Sequence, residues 1–248
     1  GIENLIRNKL KWISVFFIVV FSGYWSILEF PSFLYSHKYI NKNLVIHSDE
    51  VLPQNIKSIT DEVLIRLKKS ELYSPNKTYN VYIPTDYWRW GLVSMPIGYQ
   101  HVGAFCIGYN HNVFFRPSVI AENRIIPPWG ELADSKERDL VYFITHELGH
   151  AMIFDRVGVI SNFTELPQWM QEGYPDYIAK ESFDFEDNLQ QFKNNEWRLT
   201  EESGLYVQYH LFVSLLIDKK GYKLEELLKN APSKAEVIKI LESYSGKK

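Results

Sequence analysis

The stretch THELGHA, Thr145 to Ala151, decides how the rest of the chain is read. Around it Leu140, Val141, Ile144, Leu148 and Ala151 recur at helical spacing,. Asp134, with Glu137 three residues on, is a plausible N-cap for that helix, and Gly158 can end it. His146 and His150 then lie about 6 Å apart along the axis and nearly on one face. Two imidazoles so placed can both reach one ion. Glu147 follows the first histidine by one position, so its carboxylate points beside the ion, where an attacking water would lie. A catalytic zinc site needs three protein ligands and an open fourth position, so a third ligand is the next thing to find.

It is offered by LPQWMQEGYPDYIA, 166–179, where Glu172 sits 22 residues beyond His150 on the next predicted helix. Asp176 follows at i+4. On a continuing helix it faces the same way and can accept the far ring N–H of a ligand histidine, fixing that ring's tautomer. Either segment alone has a bland explanation: a helix with two histidines and a glutamate can be a solvated face, and Glu172 a surface residue. Together, the two segments point to one metal centre.

THELGHA followed by W-M-Q-E-G-Y-P-D-Y, 169–177, resembles the gluzincin group of zinc metallopeptidases, specifically the small thermolysin-like peptidase MA domains. The likeness extends to a hairpin before the motif helix and to LYVQYHLFVSLLIDKKGYKLEELL, 205–228, covering most of residues 43–230. It implies an α+β fold: a small mixed or antiparallel sheet lobe, about 43–133, packed on a helical lobe, about 134–248, that carries the motif helix. It implies one Zn2+ held by His146, His150 and Glu172, with Glu147 as general base and a peptide or protein as substrate. It also implies an oxyanion donor on a following helix, for which Tyr206, Tyr209 and His210 compete. Tyr206 is favoured, and shares a face with His210 if both are helical; an aromatic packed into the core is the other reading. An edge strand over the motif helix is expected to pair with substrate. NVFFRPSV, 112–119, is a candidate, with Pro117 tolerated at an edge, or else it is sheet core. Pro175 stands where the family has alanine; it cannot donate to the carbonyl of Gln171, which bears on the placement of Asp176.

The rest of the chain supplies a setting. Of its 248 residues 46% are hydrophobic and 15% aromatic, which suits a packed domain rather than a disordered chain,. The net charge of −3, with scattered basic residues, gives no sign of a nucleic-acid partner,. Cys106 is alone, so neither an intrachain disulfide nor a cysteine-rich metal site is possible, and in GAFCIG it reads as a small core residue,. After RNKLK, 7–11, the run WISVFFIVVFSGYWSIL, 12–28, carries no charge and has tryptophans near both ends. It reads as a signal anchor, residues 1–30, joined to a domain at 31–248. Arg7, Lys9 and Lys11 hold its start in the cytoplasm and put everything after Glu29 across the membrane. A cleaved signal peptide, which releases a secreted domain, and a buried core helix are the alternatives; no A-x-A-like site follows the run.

Residues 31–42 read as a connector, and 43–48, 54–70 and 79–85 as a β-α-β unit. The segment 86–100 reads as a loop, 101–109 and 112–119 as a hairpin, and 168–181, 204–219, 223–230 and 233–244 as helices. His37, His47, His101 and His111 are given no ligand role. The expectation is a membrane-anchored zinc metallopeptidase. The rivals are a catalytically silent, zinc-stabilised extracytoplasmic binding or sensor domain, and a metal-free tethered interaction domain.

Overall fold

The computed structural model describes residues 2–97, 101–108, 110–128 and 137–245. It begins with α1 (Ile2–Glu29), a 28-residue rod about 42 Å long. Among the described residues this is the one helix long and apolar enough to cross a membrane, a test of length and composition that a signal sequence also passes. Every residue from Ile2 to Gly23 is exposed. The last turn differs: Leu28 is buried and Tyr24 and Ile27 are half-buried against the folded domain.

The domain is α+β, built on a five-stranded mixed sheet. β1 (His37–Asn41) turns back into β2 (Leu44–Ser48), antiparallel, with Asn41 opposite Leu44. α2 (Ile56–Leu67) carries the chain to β3 (Tyr79–Tyr82), parallel to β2, so the expected β-α-β unit is present. α3 (Tyr87–Ser94) leads on to β4 (Ala104–Cys106) and β5 (Asn112–Phe115). These two strands form the expected hairpin, and the sheet order is β1-β2-β3-β5-β4.

Side chains alternate across the sheet, as strand geometry requires. Val81, Val113 and Phe115 join the main core with α2 and with α4 (Leu140–Val157). Tyr82 and Phe114 face the other way, into a second cluster with Leu28 of α1 and Trp90 and Val93 of α3. Beneath α4 lie α6 (Gln168–Ala179) and α8 (Val207–Ser214), the latter continued by a π-helical turn, Leu215–Lys219. Short helices α5 (Val159–Thr164), α7 (Phe185–Lys193), α9 (Leu224–Asn230) and α10 (Lys234–Ser243) complete this lobe, and β6 (Ser118–Val119) and β7 (Arg124–Ile125) form a small ribbon.

Two glycines set how closely α4, α6 and α8 approach. A Cβ on Gly149 would come within 3.0 Å of the backbone of Pro175, and one on Gly173 within 2.6 Å of the carbonyl oxygen of Tyr209. Pro175 therefore lies inside α6, against the motif helix, and the helix runs past it to Ala179.

Four expectations need correction. α4 starts later than read: its N-cap is Asp139, whose carboxylate accepts from the Tyr142 N–H at 2.8 Å, while Asp134 lies outside the described residues. Of the two readings of 112–119 the edge strand fails and sheet core holds for its first half: β5 is buried throughout and sits between β3 and β4, and it stops at Phe115, before the N–H-less Pro117,. The edge is β4. The loop at 86–100 contains α3, which Asp86 caps by accepting from the Arg89 N–H, and the connector at 31–42 contains β1.

Candidate metal centre

α4 presents His146, Glu147 and His150 to a cleft, with their ligand atoms all within 4.8 Å of one another. α6 brings Glu172 onto the two rings. Its Oε2 is 3.2 Å from His146 Nε2 and 3.3 Å from His150 Nε2. Ligands on one tetrahedral zinc, at bond lengths of about 2.0–2.1 Å, are about 3.3–3.4 Å apart. Each imidazole Nε2 stands at about that spacing from the carboxylate oxygen, and the ligand atoms of the two imidazoles lie within 4.8 Å of each other, a donor set that fits one zinc ion. Both distances to Glu172 match an edge of such a tetrahedron and are equally those of the hydrogen-bonded ion pairs formed here, so the carboxylate on α6 stands where a third donor could be, with Glu147 beside it in the same cleft.

The far side of His146 is held by a relay. Its Nδ1 is 3.4 Å from the Tyr142 hydroxyl, which in turn donates to Asp176 Oδ1. If Nδ1 carries the proton, Nε2 keeps its lone pair for a metal. Asp176 thus reaches His146 one step less directly than its i+4 spacing suggests, through a tyrosine. Asp176 itself is fully buried; its Oδ2 accepts from His210 Nδ1 at 2.8 Å and lies 3.4 Å from Lys180 Nζ. Burial acts to raise its pKa, but Lys180 and the His210 hydrogen bond outweigh it and hold the carboxyl well below the usual range.

The charge balance around the rings favours a cation. Burial disfavours a charged His150, yet Glu172 and Glu147 outweigh it and raise its pKa to about 9. Burial works on Glu172 too, and His150 and His146 overcome it, so that carboxyl is held far below its ordinary range. Ligands must be deprotonated to bind, so protons and a divalent ion compete for the same electronegative nest. Glu147 behaves differently: burial pushes it above the usual carboxylate range, and the two imidazoles offset this only in part.

The three candidate oxyanion donors separate cleanly. Tyr206 lines the cleft, its ring stacked on His146 with centroids 5.6 Å apart. It is the N-cap of α8 at φ +58°, a left-handed conformation uncommon for a tyrosine, so it precedes the helix and shares no helical face with His210,. Tyr209 donates to Glu201 Oε1 at 2.5 Å, and His210 is 2% exposed and stacked on Phe183, so neither lines this cleft.

Two residues escaped the sequence reading. Tyr142 has a signal, since it precedes His146 by one turn on the same face. Arg138 is buried over the rings of Tyr142, Phe143 and Tyr206, with centroid distances of 5.3, 5.1 and 5.8 Å, and nothing local announces it. The cleft, about 360 Å³, is bordered by Ala104 and Cys106 of β4, with Cys106 half-buried at its wall. No family model, curated protein or solved structure matches the chain.

Proposed function

We propose that this chain is a gluzincin-like zinc metallopeptidase, anchored by α1, that hydrolyses peptide bonds on the outer side of the membrane. The observation that carries the reading is Glu172 Oε2 at 3.2 and 3.3 Å from the Nε2 atoms of the paired histidines, one tetrahedral edge from each. A structural zinc site fills all four positions with protein ligands; here His146, His150 and Glu172 line an open cleft together with Glu147, which favours a hydrolase over a silent zinc-stabilised binding or sensor domain,.

His146, His150 and Glu172 would hold the zinc, which when bound would supply Lewis acidity towards a water and a peptide carbonyl. Glu147, its affinity for protons raised by burial, takes the water's proton and returns it to the leaving amine,. Tyr206 donates its hydroxyl to the oxyanion. The β4 edge offers main-chain groups to an extended substrate lying across the cleft.

The test is to load the full chain with zinc in detergent or lipid, measure metal content, and assay a broad peptide library with wild type and Glu147→Gln. The expected pair of results is one zinc in both proteins and a peptidase rate lower by about 10²–10⁴-fold in the variant. Failure of wild type to hold zinc, or full activity in Glu147→Gln, sinks the reading. Zinc held by four protein ligands with no turnover favours the sensor domain.

A further inference from the structure

The second apolar cluster joins α1 to the domain in a way a simple tether does not need. Leu28 is buried in it, Asn112 Nδ2 donates to the Leu28 carbonyl at 3.0 Å, and the Tyr24 hydroxyl donates to the Val93 carbonyl of α3 at 2.7 Å. α3 is therefore docked on α1 beside residue 24, about 6 Å before the apolar run ends. That run, residues 12–28, gives about 25 Å of helix, short of the roughly 30 Å bilayer core.

α3 is apolar on both sides. Trp90 and Val93 are buried. Trp88, Leu92 and Met95, at i, i+4 and i+7, lie on the other side, with Trp88 57% and Met95 69% exposed. The helix's one charge is neutralised, Arg89 lying over the Trp88 ring at 4.3 Å and pairing with Asp86 and with Asp49 at 3.7 Å. Phe30 and Phe33, each 70% exposed, follow α1 directly.

We infer that Trp88, Leu92 and Met95, with Phe30 and Phe33, form a lipid-facing surface that lies in the bilayer interface beside α1. The occupant is the bilayer itself, because α3 is tied to the last turns of the apolar helix α1 through Tyr24 and, by Arg89 Nε donating to the Leu34 carbonyl at 2.6 Å, to the segment that holds Phe33, and because the patch supplies the apolar thickness that a 17-residue run lacks,. Aromatic rings with apolar neighbours are what the bilayer interface accepts.

The consequence reaches the metal centre through β4. Phe105 packs on Trp90 and Phe114, with centroids 5.9 and 5.3 Å apart, and with its neighbours Ala104 and Cys106 it also borders the cleft. β4 thus lies between α3 and the cleft that His146, His150 and Glu172 line. Resting on the hydrolase reading, the substrate class is then polypeptide presented at the membrane surface, such as the segment of a membrane protein just outside the bilayer.

The experiment uses the full chain in vesicles of phosphatidylcholine and phosphatidylglycerol. Spin labels at Met95→Cys and, for comparison, at Lys229→Cys on α9 are tested against oxygen and a water-soluble nickel chelate, with the unsubstituted chain and its Cys106 as blank. The expected result is a label at 95 reached by oxygen and shielded from nickel, and the reverse at 229; equal nickel access at both sites overturns the inference. The double variant Trp88→Glu, Leu92→Glu is expected to cut a vesicle-tethered peptide about tenfold or more slowly than wild type, through lost local concentration, and the same peptide free in solution equally well. Equal loss on both peptides, or none on the tethered one, overturns the substrate claim. Correct label depth with neither peptide cut by wild type refutes the hydrolase reading and the substrate class, and leaves the lipid-facing surface standing.

Discussion

Replacing Gly173 by alanine probes how α6 aims Glu172. The added Cβ would stand 2.6 Å from the Tyr209 carbonyl oxygen and 2.8 Å from its carbon. Ordinary contact begins near 3.4 Å, so the gap is about 0.8 Å too small, and the obstacle is backbone that cannot rotate away. Overpacking of this kind costs about 1–3 kcal/mol, and a backbone clash belongs at the upper end. Alanine recovers about 1 kcal/mol of helix propensity, leaving a net loss of about 2 kcal/mol. For a domain of this size that is about 4–8 °C in Tm. The larger effect falls on the metal: relief of the clash moves α6 off α8, and Glu172, the adjacent residue, shifts by more than the roughly 0.2 Å that zinc bond lengths tolerate. Zinc affinity, read by competition with a chromophoric chelator, is expected to fall about 10–100-fold. Melting in EDTA measures the packing loss separately. Gly23→Ala, with nothing within 4 Å of its Cβ, is the neutral control. Wild-type Tm and zinc affinity in Gly173→Ala would refute the claim that α6–α8 packing positions the third ligand.

Tyr142→Phe removes the hydroxyl between His146 and Asp176, and is expected to cost about 1–3 kcal/mol in chelator-containing melts, since a buried carboxylate oxygen loses its donor, and about tenfold in zinc affinity. Tyr206→Phe is expected to lower kcat about 10²–10³-fold with KM little changed, as fits a donor used only by the oxyanion; a pure KM effect contradicts that role. The pH dependence of zinc binding follows from His150, whose pKa is raised to about 9. Below that value the ring is protonated and zinc must displace the proton, so affinity falls as pH falls, by about tenfold per unit for one competing proton. Titrations from pH 8.5 to 6.5 showing no such slope speak against His150 as a ligand.

The parts of the site carried by helical periodicity could be read from the sequence. His146, Glu147 and His150 share one helix, and their relative placement follows from 3.6 residues per turn. Glu172 and Asp176 also keep their i+4 relation, because α6 continues through Pro175 against the glycine of the motif. What could not be read depends on how elements meet. Tyr142 comes between Asp176 and His146 only once α4 and α6 take their register. β4 rather than β5 borders the cleft because strand order follows the crossover path, which local patterns do not specify,. Tyr206 lies outside α8 in a left-handed turn, so a helical-face argument pairing it with His210 had no basis in the fold. α3 was hidden by Gly91 and by apolar residues on both faces, which blur the usual period,.

The most direct test is X-ray absorption spectroscopy on the zinc-loaded full chain and on Glu172→Ala. One zinc per chain is predicted, with two imidazole nitrogens, one carboxylate oxygen and one non-protein oxygen at about 2.0–2.2 Å, and loss of the carboxylate oxygen with weaker binding in the variant. An identical zinc shell and affinity after Glu172→Ala would contradict the account.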